Sequence, residues 1–248
     1  EFRRVLFRSN DINISAPTGF EVSTTSSSSG FASSQVISQS SGSVAITTVY
    51  VRLSATSKVS GSPYSGDVVI TSTGASTLTV ATVASTVAVK SLTITGIAGN
   101  DKTYDTSVTA TVSGTPLLIG VVGSDNVSIS GSPSFSFSDA NAGSNKSITV
   151  LGYALNGTDS GNYSVLQPAY LTATINKANQ TIVPISVSET RTFGDSVYSV
   201  ATTSDSLLTV TYLSSNTAVA TVNSSGIVTI VGAGSATISA LQVGNANY

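Results

Sequence analysis

Gly161-Asn162-Tyr163 closes one run of alternating apolar and polar residues, and Gly244-Asn245-Ala246-Asn247-Tyr248 closes the next. The two tyrosines are roughly 85 residues apart, about the length of one small β-sandwich, so the phrase marks the same structural moment in two successive modules. Outward from it, strand patterns recur. Val49, Val51 and Leu53 alternate with Thr48, Tyr50 and Arg52, a period of two that puts an apolar and a polar face on one half-buried strand. Ile12/Ile14, Phe20/Val22, Val68/Ile70 and Leu78/Val80 repeat the pattern, while 26–30 and 60–66 read as Ser/Gly-rich loops. A second module opens at Ser91–Ile94 and closes where Leu171, Ala173 and Ile175 share a face. Short strands are predicted between them around Val127/Ile129, Phe135/Phe137 and Ile148/Val150. The expected fold is all-β: a tandem array of three β-sandwich, Ig-like modules at 10–89, 90–175 and 176–248, with short linkers at about 88–91 and 175–180. After Tyr163 the second module continues through a final strand, whereas nothing follows Tyr248. The third module is therefore expected to be truncated by one strand, leaving an unpaired edge that can associate with another chain.

Composition narrows the function. Of 248 residues, 40% are hydrophobic and 9% charged, where ordinary soluble proteins carry about 25% charged residues. Serine and threonine supply about a third of the chain, so solubility rests on hydroxyl groups, and Thr and Val both favour strands. There is no His, Cys or Trp. That excludes Ser/His/Asp and Cys/His catalysis, removes the usual zinc and copper ligands, and leaves no disulfide. A net charge of −2 without a Lys/Arg run gives no footprint for nucleic acid, and no apolar stretch reaches the ~20 residues that span a membrane.

Carboxylates are the groups left for acid/base chemistry, and Asp101, Asp105, Asp125, Asp139 and Asp159 gather in the second module. A glycosidase needs two of them flanking a sugar, yet each stands within two residues of Gly, Asn or Ser, in the composition of a turn. Asp139 and Asn141 resemble the opening of a calcium loop, which makes calcium the one cofactor to consider, although no glutamate follows at the bidentate position. Asn-x-Ser/Thr triplets at Asn13, Asn126, Asn145, Asn156, Asn162, Asn179 and Asn223 are expected by chance in a chain this rich in hydroxyls. Tyr163 and Tyr248 read as edge plugs that bond the backbone rather than as ligand-facing aromatics.

Lys102-Thr103-Tyr104-Asp105, the stretch 118–130, Asp139-Ala140-Asn141-Ala142-Gly143 and 157–163 resemble the bacterial YDG repeat family, named for its Tyr-Asp-Gly motif. Thr106 stands where that family has glycine, which puts the conformation of that turn in question. Phe193-Gly194-Asp195, 214–222, 226–234 and 236–240 resemble the bacterial Ig-like repeats of adhesins. The first module is similar to another sandwich repeat of large secreted proteins through 18–22, 48–53 and 64–67. Residues 1–9, with three of the ten basic residues, resemble a translated sequencing adapter, as in a reading frame assembled from environmental DNA and cut at its start. These resemblances imply an extracellular bacterial surface or secreted repeat region, a stalk, spacer or adhesin segment without catalytic residues. Tyr104, Asp105, Gly161, Asn162, Tyr163, Gly194, Asp195 and Tyr248 are expected to act structurally. Partners, host or matrix glycans or proteins, would be met through regions outside this stretch. The alternatives are accessory modules of a secreted hydrolase, or a carbohydrate-binding module, which would need an exposed aromatic patch.

Overall fold

The computed structural model describes residues 10–185 and 189–248; the basic segment 1–9 lies outside the described residues. Apart from two 3-10 turns, Val59–Gly61 and Ser160–Asn162, every regular element described is a strand. Val, Ile and Thr recur in most of these strands, as the pleated, half-buried geometry favours.

The N-terminal region holds β1 (Ile12–Ser15), β2 (Phe20–Ser23), β3 (Ser34–Ile37), β4 (Tyr50–Leu53), β5 (Asp67–Thr71) and β6 (Leu78–Ala81). They form an antiparallel sheet in the order β3-β1-β5-β6 and a separate pair, β2-β4. Ile14, Val22 and Val68 are its buried centre, with Ile12, Ala16, Ile37, Val49 and Ile70 packed around them. Across β2-β4, Glu21 faces Arg52, whose Nη2 donates to Glu21 Oε2 at 3.0 Å while the guanidinium lies 3.9 Å over the Phe31 ring. The alternation at Leu78/Val80 does form a strand, but both side chains stay exposed, because β6 is the outermost strand of its sheet. Val51 is exposed as well. A period of two shows that the faces differ, not that either one is covered.

The middle region contains β7 (Lys90–Gly99), β8 (Lys102–Thr103), β9 (Val112–Ile119), β10 (Ser128–Phe137), β11 (Gly143–Asn156), β12 (Tyr163–Leu166) and β13 (Thr172–Asn176). Its sheets run β12-β7-β9 and β10-β11-β13-β8. Two pairings are parallel: β12 lies along β7 from Tyr163↔Lys90 to Leu166↔Thr93, and β13 along β8 at Ile175↔Lys102 and Asn176↔Thr103. Leu92, Phe137, Ile148, Val150, Ala173 and Ile175 are buried. The two strands predicted around Val127/Ile129 and Phe135/Phe137 are in fact one, β10, which starts at Ser128. Gly131, at φ +92, turns the chain locally without ending the strand.

The C-terminal region contains β14 (Tyr198–Ser199), β15 (Thr211–Ser214), β16 (Ala220–Val222), β17 (Ile227–Ile230) and β18 (Ile238–Leu241), in a sheet β14-β17-β16 and a pair β15-β18. Val200, Ala220 and Val228 are its buried centre. Among the described residues β18 pairs with β15 alone.

Contacts group the described residues into two compact units. One takes residues up to Ile94 with Leu118–Gly131 and Tyr153–Leu166; the other takes Thr95–Leu117, Ser132–Gly152 and Gln167–Tyr248. Each includes a share of the middle region.

Candidate functional site

The five clustered aspartates are all engaged within their own surroundings. Asp101 Oδ1 accepts the Thr174 N–H at 2.6 Å, and Asp125 Oδ2 accepts the Tyr163 hydroxyl at 2.6 Å. Asp105 Oδ1 accepts Lys102 Nζ at 2.7 Å and the Ser107 N–H at 2.9 Å. Asp139 Oδ1 accepts Lys146 Nζ at 2.6 Å and the Asn141 N–H at 2.8 Å. Asp159 pairs with Lys58 and accepts the Asn126 N–H at 3.0 Å. Lysine hydrogen bonds, joined by those backbone donors, hold the carboxyls of Asp105, Asp139 and Asp159 below their ordinary range. The bonds from the Ser107 and Asn141 N–H groups are short local ones that set turns, whereas those of Asp101, Asp125 and Asp159 join stretches distant in sequence. Among the described residues no group of three or more Asp or Glu is placed to hold a metal ion.

In the first compact unit the Gly161-Asn162-Tyr163 phrase meets the loop around Lys58. Tyr163 is buried, its hydroxyl bonded to Asp125 and accepting the Val122 N–H at 3.1 Å; the Asp125 carboxylate, with burial, raises the phenol's pKa. Asn162 Oδ1 accepts the Val59 N–H at 3.0 Å, and Lys58 Nζ pairs with Asp159, which raises the lysine's pKa. The loop is braced from its own side, because Tyr64 Oη accepts the Lys58 N–H at 2.9 Å and donates to the Lys58 carbonyl at 2.7 Å. Gly161 makes no demand of its own: a Cβ there would meet nothing within 4 Å.

In the second unit the Gly244–Tyr248 phrase meets Tyr104 and the 139–142 loop. Asn247 Oδ1 accepts the Ala142 N–H at 2.8 Å, and its Nδ2 donates to Asn141 Oδ1 at 3.1 Å. The Tyr248 ring meets Tyr104 edge-on, centroids 5.4 Å apart, a favoured aromatic geometry. Lys177 Nζ donates to the carbonyls of Asn245 and Tyr248. Asn141, the calcium candidate, thus gives its side-chain oxygen to Asn247.

Thr106 occupies the turn after Tyr104-Asp105 at φ +67, the left-handed region that glycine adopts freely and a β-branched residue resists. Thr106→Gly is expected to stabilise the domain by about 0.5–1 kcal/mol, the relieved strain exceeding the entropy that glycine adds to the unfolded chain. The check is a urea titration read by tyrosine fluorescence. Gly194 lies at φ +97 in a turn that Asp195 closes by accepting the Thr192 N–H at 2.8 Å.

The contacts of Lys58, Tyr64 and Lys177 carry no signal in the sequence, since a lone Lys or Tyr in a connecting segment does not show what it bonds to. A buried polar group in the C-terminal region is equally unannounced. Ser204 and Ser206 share a 2.7 Å hydrogen bond, and Ser206 Oγ donates at 2.6 Å to Gln180 Oε1, whose own Nε2 reaches Gln242. This ties the start of that region to its end.

Fold and site together define an all-β protein whose ionisable groups serve turns and the contacts between successive regions. Residues 88–174 match the YDG domain, and residues 206–243 match the intimin immunoglobulin-like domain; neither is an enzymatic family. The chain thus combines a YDG repeat with a bacterial Ig-like repeat. No curated protein matches it.

Proposed function

We propose that this chain is a non-enzymatic, extracellular repeat segment of a larger bacterial surface or secreted protein, three serially joined β modules that act as a load-bearing spacer. The observation that carries this reading is the parallel pairing in the YDG domain. Tension enters at the N-terminal end of β7 and leaves at the C-terminal end of β13, and it draws β7 lengthwise along its parallel partner β12, which the rest of the domain holds. Four register pairs are then sheared together instead of being unzipped one at a time. The β8/β13 pairing near the domain's exit is loaded in the same sense. Kinship to YDG and intimin-type Ig-like domains supports the bacterial surface setting, and no described helix is long and apolar enough to cross a membrane. The test is mechanical: pulled from points before Lys90 and after Asn176, the domain must resist in a single step.

A spacer exposed to the medium also needs stability that is indifferent to ordinary pH changes. Asp105, Asp139, Asp159, Asp205 and Glu21 all have carboxyls depressed by hydrogen bonds, so their contribution is complete above the unfolded values near 4 and is lost as pH falls through the lower folded values. Lys58 and Tyr163 are raised, so theirs is complete below about 10 and is lost above it. Melting temperature is expected to be flat between about pH 6 and 8 and to fall below about pH 4, as measured by circular dichroism.

A further inference from the structure

The two contacts made by the repeated phrase share one chemical element. In each, the asparagine immediately before the phrase's tyrosine turns its side-chain oxygen onto a backbone N–H in the region before its own: Asn162 onto Val59 and Asn247 onto Ala142. Both N–H groups sit in loops outside the strand ladders, and Val59 opens a 3-10 turn, where a backbone N–H has no partner within the turn. Both receiving loops are held in shape by their own region, by Tyr64 at Lys58 and by Asp139 at Asn141. Each asparagine is also fixed from its own side, since the Asn162 N–H donates to the Asp159 carbonyl at 3.0 Å and the Asn247 N–H to Asn245 Oδ1 at 2.8 Å. At Asn247 both ends of the amide are used, which settles its orientation. The tyrosines differ, one plugging its own domain and the other meeting Tyr104, so the asparagine is the constant part.

We infer that the asparagine of the Asn-Tyr phrase is a junction latch, whose partner is a preorganised loop N–H of the preceding module in the same chain. It fixes each module to the one before it through a single amide, reinforced at the first junction by Lys58–Asp159 and at the second by the Tyr104–Tyr248 contact. The latch goes beyond the spacer reading and does not depend on it, because docked modules can serve any extracellular role.

The experiment is amide hydrogen exchange by NMR on the full chain. Val59 and Ala142 are expected to be protected in the wild type. Asn162→Ala should speed exchange at Val59 by about tenfold, the worth of one hydrogen bond, and leave Ala142 unchanged; Asn247→Ala should do the reverse. Asn162→Asp keeps an acceptor and should keep Val59 protected. Amides of Leu92 and Val228, in the cores, report whether a variant is still folded. Exchange of Val59 and Ala142 at unprotected rates in the wild type would overturn the inference, even if an alanine variant failed to fold. So would their full protection in folded alanine variants. Failure of the spacer reading would show in mechanical resistance and leave these exchange rates untouched.

Discussion

Leu92→Ala is expected to destabilise the YDG domain by about 2–5 kcal/mol, the range for deleting a fully buried leucine side chain. Among the described residues Leu92 is one of the largest side chains with no exposure, and it lies within the β7–β12 register, opposite Val165. A Cβ on Gly120 would come 3.3 Å from its Cδ2, so the backbone at Gly120 lies close against the side chain. Rigid backbone does not collapse to fill the void, which places the loss toward the upper end of that range. In urea, with a slope of about 1–3 kcal/mol/M, the midpoint should move by 1 M or more without a change in slope. Leu166→Ala, on the same ladder but 52% exposed, should cost under about 0.5 kcal/mol. Equal losses at the two positions would mean that the β7–β12 face is not packed as described.

Gly114→Ala is expected to cost a comparable amount by a different route. Gly114 lies in β9 at φ +92, and a Cβ there would stand 2.1 Å from the Gly96 carbonyl oxygen. The left-handed backbone costs an alanine about 1–2 kcal/mol, and forcing the strands apart costs about 1–3 more, giving about 2–5 kcal/mol together. The neighbour is backbone, so no side-chain rotation relieves the clash. Gly161→Ala, with open space around it and no positive φ, is the control and should be near neutral. Stability from urea titration of both variants checks this; a neutral Gly114→Ala would show that β7 and β9 do not approach so closely.

These two positions also mark what the sequence could and could not disclose. Alternation at Ile12/Ile14, Phe20/Val22 and Val68/Ile70 identified strands and their buried faces, because one covered face imposes a period of two. The face shared by Ala173 and Ile175 was legible for the same reason. The long strands of the YDG region were not. The pattern there predicts short strands, whereas glycines 96, 114, 131 and 152, all at positive φ inside strands, let each strand continue past a close backbone approach or a bend. Parallel pairing was also hidden, since register between distant strands leaves no mark in local pattern. Asp105 and Asp139 were recognisable as turn formers from their Gly, Asn and Ser neighbours. The role of Asn162 was not, because its partner is a backbone N–H more than a hundred residues away.

Single-molecule force spectroscopy on the full chain, held at its two ends, tests the load-bearing claim most directly. The YDG domain should give way in one discrete event that releases about 30 nm of chain, the extended length of its matched residues 88–174, at a force above that needed for the antiparallel N-terminal region. Smooth extension of the YDG segment without such a step, or its yielding at lower force than its neighbour, would contradict the spacer function.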